Sequence, residues 1–179
     1  IYEVPVNFEK DKLGDRILVK FDLGGRLKES GGWEKMVRKV RGLKEPVQIG
    51  IVGKYFGTGN FMLTDSYISV IEAIRHAAFS LGRKPVIEWL NPEKYEKEPK
   101  SVVELSSCAG IIVPGGFGSR GVEGKIAAIR YCREKKIPYF GLCYGMQLAV
   151  VEFARDMLGL KKANTTEVNR KTPDSVIDI

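Results

Sequence analysis

An α/β fold, a parallel sheet flanked by helices, is the architecture this chain predicts, on three observations. From residue 46 onward, short apolar runs alternate with stretches of helical periodicity. The runs are continuous rather than alternating, as in parallel strands buried on both faces. Glycine-rich or cysteine-bearing turns follow three of them, at Gly53-Lys54, Pro114-Gly115-Gly116 and Cys143. Those turns fall at the carboxyl ends of the strands, where sheets of this kind build their sites.

Residues 1–45 read differently from the remainder. Ile1-Tyr2-Glu3-Val4-Pro5 predicts an extended lead-in, Gly14 and Gly24-Gly25 interrupt any long element, and Ser30-Gly31-Gly32 reads as a linker joint. Trp33, Met36, Val37 and Val40 stand at helical spacing, so a short helix is expected there. The segment is too broken to build its own core and is expected to be the tail of a preceding domain plus a connector. Residues 47–52 predict the first strand. The loop through Gly57 and Gly59 leads to Thr64-Asp65, either of which suits a helix N-cap. The next helix sets Tyr67, Ile71, Ile74, Ala78 and Leu81 on one face, with Gly82 placed to stop it. Residues 85–90 predict a second strand, 92–100 a polar loop, 101–106 one or two helical turns, and 110–114 a third strand. Residues 122–135 predict a helix, 138–142 a fourth strand, and 144–158 a final helix.

The fourth strand runs into Gly141-Leu-Cys143-Tyr-Gly145, a Gly-x-Cys-x-Gly turn between strand and helix. This is the layout of a nucleophile elbow, with a thiol in place of a hydroxyl. The glycines let the backbone turn tightly and are expected to leave room for substrate. The following helix directs its first amides toward the sulfur, where a developing oxyanion would sit. A buried structural cysteine is the competing reading, because free cysteine is among the most buried residue types. Two glycines placed symmetrically about Cys143 favour the nucleophile.

The remaining motifs divide between function and plain structure. Gly116-Phe-Gly118-Ser-Arg-Gly121 matches G-x-G-x-x-G after a strand, but the next strand ends without an acidic residue for a ribose. Pro114-Gly115-Gly116 fits better as an exposed turn whose amides face Cys143. His76, the only histidine, falls in mid-helix and is expected at a surface or core edge rather than beside the thiol. No candidate base is therefore visible. Gln147, four residues after Cys143, can reach the same mouth. Glu167 carries a carboxylate on the loop after that helix.

Composition narrows the classes. The net charge is +7, yet residues 1–45 carry 11 basic and 8 acidic groups and no block of five like charges occurs. No nucleic-acid stripe is expected. No apolar run approaches the ~20 residues of a membrane span, and no signal peptide is read. Three cysteines without metal-type spacing point to a reducing cytoplasm and to no metal site. The chain begins with Ile rather than Met, so something is expected to precede it or to have been removed.

Several motifs together resemble the glutaminase half of the CTP synthases, which are class I glutamine amidotransferases. They are Val52-Gly-Lys-Tyr55, Asp65-Ser-Tyr-Ile-Ser-Val-Ile-Glu-Ala73, Val113-Pro-Gly-Gly-Phe-Gly-Ser-Arg-Gly-Val-Glu-Gly124, Gly141-Leu-Cys-Tyr-Gly-Met-Gln147 and Ala163-Asn-Thr-Thr-Glu167. Gly-x-Cys-x-Gly-x-Gln alone admits other class I amidotransferases, such as GMP synthase; the longer motifs are narrower. Ile1-Tyr-Glu-Val-Pro5 resembles the end of that family's synthetase domain, which implies a boundary with 1–45 on one side and 46–179 on the other.

The resemblance implies a flavodoxin-like fold and a thioester mechanism. Cys143 is the implied nucleophile for L-glutamine, and the amides of Gly116 and Tyr144 are the implied oxyanion donors. Gly115, Phe117, Gly145, Met146, Gln147 and Glu167 are the implied surroundings of the substrate, with Glu167 taking its ammonium group. Ammonia would then aminate UTP in a synthetase domain using ATP and magnesium, with GTP as activator and a homotetramer as the assembly. No cofactor is expected in these 179 residues. Three departures stand out. The loop at 56–63 is longer than expected, Tyr144 stands where leucine is common, and the family's His-x-Glu is expected beyond Ile179. A non-catalytic glutaminase-like binding module is the rival from another class.

Overall fold

The computed structural model describes residues 1–24, 31–53, 67–116 and 118–178. The sheet is assembled from four apolar runs: β1 (Pro46–Val52), β2 (Lys84–Leu90), β3 (Gly110–Val113) and β4 (Tyr139–Gly141). All pairings are parallel, in the order β2-β1-β3-β4. The fold is α/β, as the sequence predicts, and this order is that of flavodoxin-like sheets. Continuous apolar runs suit such strands because both faces are covered.

One face receives α4 (Ile68–Ser80), through buried Ile71, Ile74 and Ala78. The other receives α5 (Pro92–Lys97), a 3₁₀ segment (Pro99–Ser107), α6 (Val122–Lys135) and α7 (Tyr144–Asp156). Val52, Leu90, Ile111 and Val113 meet Ile126, Ile129, Leu148 and Val151 in one apolar core on that side. A small parallel pair, β5 (Asn164–Thr165) with β6 (Ser175–Ile177), packs against α7. Among the described residues no helix is long and apolar enough to cross a membrane.

Several elements differ from the sequence reading. Residues 1–5 are not extended: Pro5 lies in the first turn of α1 (Val4–Lys10), where its missing amide costs nothing. Gly14 sits inside α2 (Leu13–Lys20) rather than breaking it, and Gly31-Gly32 open α3 (Gly31–Arg41) rather than forming a joint. The polar stretch 92–100 is no loop: Asn91 caps α5 by accepting from the Glu93 amide at 3.0 Å, with Pro92 at the first helical position. Gly82 ends the α4 segment at φ +71°, as expected, but Leu81 lies past the last turn and is 77% exposed. The expected N-cap at Thr64-Asp65, the motif residues Lys54 and Tyr55, the long loop at 56–63 and Phe117 lie outside the described residues.

Candidate active site

The site begins where β4 ends. Val113 pairs with Gly141, and the Leu142 amide donates to the Val113 carbonyl at 2.9 Å, so the chain leaves the sheet in register with β3. Cys143 then turns sharply, at φ 50° and ψ −105°, and α7 starts at the next residue. A positive φ in a residue with a Cβ is strained, and strain of this kind collects where a side chain must be presented rather than packed. Cys143 is exposed, whereas Cys108 and Cys132 are buried. The strand, strained turn and helix of the elbow are all present.

The flanking glycines have a different reason from the one read in sequence. A Cβ on Gly145 would lie 2.0 Å from the Val113 carbonyl oxygen, and one on Gly141 would lie 2.6 Å from the Gly145 carbonyl carbon. They let α7 press onto β3 and onto its own strand, rather than opening room for a ligand. Tyr139 reinforces this junction by donating its hydroxyl to the Gly145 carbonyl at 2.7 Å.

The Pro114-Gly115-Gly116 turn after β3 lies beside the elbow: a Cβ on Gly115 would stand 3.6 Å from the Cys143 Cβ. The Tyr144 amide is at the first position of α7, among the amides that a helix start leaves without an intrahelical acceptor. Met146 is exposed and Gln147 half-buried on the first turns of α7. The Gln147 Oε1 is buried with no hydrogen-bond partner among the described residues. A buried acceptor left so costs roughly 1–3 kcal/mol unless a donor arrives.

Glu167 comes to this region from a distant part of the chain. The Arg155 guanidinium donates from Nε to the Ala163 carbonyl at 2.7 Å and pairs with Glu123 of α6 at 2.9 Å. Buried Asn164 and Thr165 then hold the strand of β5, and the Glu167 amide donates to Thr165 Oγ1 at 3.3 Å. Glu167 Oε1 accepts from the Gly118 amide at 3.0 Å, which ties its loop to the one after β3. The Tyr144 hydroxyl donates to the Gly118 carbonyl at 2.9 Å. Sequence reasoning considered only the backbone of Tyr144, and it missed Gly118, Tyr139 and Arg155. Gly118 lies within a motif, but nothing in the motif marks it as a partner of Glu167 and Tyr144; that follows from the fold bringing the turns after β3 and β5 together. His76 is elsewhere, on α4, with Nε2 2.9 Å from the Tyr2 hydroxyl.

Residues 62–176 match the profile of glutamine amidotransferase class-I. The chain belongs to that family. Relatives of this amidotransferase named CTP synthase align along its whole length. The one from Sulfurisphaera tokodaii is 48% identical over 178 residues, 99% of this chain and 33% of its own. The one from Methanococcoides burtonii is 46% identical over 179 residues, 100% of this chain and 32% of its own. The chain therefore spans about a third of the length of these relatives. Among solved structures, the glutaminase domain of Trypanosoma brucei CTPS with bound acivicin superposes with a TM-score of 0.67 at 38% identity. That match covers 74% of this chain and 50% of the other.

Proposed function

We propose that this chain is the glutaminase portion of a CTP synthase, in which Cys143 releases ammonia from L-glutamine for the amination of UTP. The observation that carries the reading is the exposed, strained Cys143 lying between Gly115 and the first amides of α7. The relatives' shared name and the acivicin bound in the structural neighbour support it.

In this reading the Cys143 thiolate attacks the side-chain amide carbon of glutamine. The carbonyl oxygen becomes an oxyanion and is met by the amides of Gly116 and Tyr144, two donors of a kind each worth about 10²–10³ in rate. Collapse of the tetrahedral adduct breaks the C–N bond, the nitrogen leaves as ammonia after gaining a proton, and a thioester remains. Water then cleaves the thioester to glutamate. Gln147, whose buried Oε1 has no hydrogen-bond partner among the described residues, suits a donor on the substrate, and Glu167 suits its ammonium group. Gly115 and the exposed Met146 border the same mouth, and the resemblance to the family assigns Phe117 and Gly145 to it as well. The proton-transfer base comes from outside these 179 residues, since their one histidine is on α4.

ATP, UTP, magnesium, GTP activation and tetramer formation are assigned to the rest of a cytoplasmic enzyme, for which residues 1–45 form the connection. Among the described residues no group of three or more His, Cys, Asp or Glu side chains is placed to hold a metal ion.

The test uses the full-length enzyme with glutamine or free ammonia as nitrogen source. Cys143→Ala is expected to cut glutamine-dependent CTP formation by at least ~10³, and Gly116→Pro, which removes the amide donor, by at least ~10². Ammonia-dependent formation bypasses this site and is expected to persist. Glutamine-dependent synthesis that survives Cys143→Ala would overturn the reading. Wild-type protein that binds glutamine without releasing ammonia would replace it with the binding-module reading.

A further inference from the structure

The oxyanion role uses only the backbone of Tyr144, yet its side chain is among the most buried in the molecule, at 1% exposure. Its hydroxyl reaches across from α7 to the loop after β3 and donates to the Gly118 carbonyl at 2.9 Å. On the other side of the same Cα, the Gly118 amide donates to Glu167 Oε1 at 3.0 Å. Gly118 stands at φ +75° with nothing within 4 Å of where a Cβ would be. A glycine in open space has no steric reason to hold one conformation. What fixes it here is the pair of hydrogen bonds, one on each side.

Against the face of the Tyr144 ring lies the Lys125 ammonium, 5.3 Å from the ring centroid and fully buried. A lysine head group over a ring face is drawn to the ring's electrons. It holds the ring in one orientation, and the hydroxyl with it. Burial and then the charge of Glu167 push the phenol up to about 12, so the group remains a donor throughout the neutral range. Glu167 is the residue with most to gain from this. A carboxylate on a surface loop samples several rotamers, and binding has to immobilise it.

We propose that the Tyr144 side chain is a positioning residue for glutamine binding. It clamps Gly118 from one side so that the Gly118 amide holds the Glu167 carboxylate ready for the substrate's ammonium group, with Lys125 fixing the ring. This rests on the assignment of Glu167 to the substrate. The clamp is a property of this chain's tyrosine, and a leucine at that position could not make it.

The experiment compares Tyr144→Phe, Glu167→Gln and the double variant in the full-length enzyme. Phenylalanine keeps the ring, its contact with Lys125 and the backbone amide, and removes only the hydroxyl. Tyr144→Phe is expected to raise KM for glutamine about 5- to 20-fold while kcat falls much less, the pattern of lost binding rather than lost chemistry. Added to Glu167→Gln it is expected to raise KM by under about twofold more, because both act through one carboxylate. An unchanged KM in Tyr144→Phe, a fall in kcat alone, or full additivity in the double variant would each overturn the proposal. If Glu167→Gln itself leaves KM unchanged, the assignment of Glu167 fails instead, which separates the two ideas. Gly118→Ala disturbs the same peptide without touching α7 and decides the question should Tyr144→Phe fail to fold: KM must rise there too.

Discussion

Cys132 is fully buried within α6, and its thiol is pushed up to about 12 by burial and then by Cys108 nearby. Cys108 is raised as well, first by burial; its hydrogen bond with Ser107 offsets this in part, while the charges of Glu88 and Glu104 add to it. At pH 7 a thiol with a pKa near 12 is ionised to only on the order of 10⁻⁵, and the thiolate is the nucleophile. A glutamine-mimicking electrophile is therefore expected to label the exposed Cys143 first, read by peptide mapping after a short exposure. Equal labelling of the three thiols would sink the assignment of Cys143. The elbow was legible in the sequence because Gly-x-Cys-x-Gly is a local pattern. The reason for its glycines was not, since the atom Gly145 must avoid belongs to Val113 on another strand.

Where an element buries a clear stripe, the sequence pattern located it: α6 spans Val122–Lys135 as expected, and the four strands fall within a residue or two of their expected ends. The misreading at 92–100 falls on a short, polar, capped element. The α5 helix buries only Pro92 and Tyr95, too few positions to show a period, and its start depends on the Asn91 cap. Between α6 and α7 the contact is ionic as well as apolar. Arg133 donates to nearly buried Glu152 at 2.7 Å, and Arg130 pairs with Asp156. Burial raises the Asp156 carboxyl, but the hydrogen bond and charge of Arg130, a hydrogen bond with Glu152 and the charge of Lys161 together hold it below its ordinary value. The folded chain thus keeps Asp156 ionised to lower pH than the unfolded chain does. Its contribution to stability is complete above the unfolded pKa of about 3.9 and lost as pH falls through the lower folded value. Asp156→Asn is expected to lower Tm at pH 7, and the gap from wild type is expected to close as pH falls below about 4. Thermal melts from pH 7 to pH 2.5 check this; a gap that stays constant would mean the pair contributes by packing alone.

At the scale of the whole molecule, the sheet decides which groups can work together. The turns after β3 and β4 leave its carboxyl edge, and the Glu167 loop joins them there. Helix α4 runs the other way, returning the chain to the start of β2. Its Ala77 and Ala78 line a groove with Val47 and Gly110, residues at the amino ends of β1 and β3. His76, one residue earlier, is therefore at the opposite edge from Cys143. It is also displaced toward β2, three strand spacings of ~4.8 Å from β4. Its ring packs edge-on against Tyr2, with centroids 5.9 Å apart, and its side chain is 64% exposed. The same groove leaves Phe140 60% exposed beside Ile112, an apolar face suited to self-association at high concentration. The 179-residue chain alone, kept dilute, is accordingly expected to release ammonia from glutamine at a small fraction of the full-length rate. A thiol and oxyanion donors without their base leave only about 10³–10⁴ over water. His76→Ala is expected to lower Tm slightly, through the lost Tyr2 contact, and to leave that residual rate where it was. The measurement is ammonia release by both forms of the purified chain; robust turnover that His76→Ala abolishes would mean that the only imidazole does serve Cys143, and that the edge-to-edge separation drawn from the sheet is wrong.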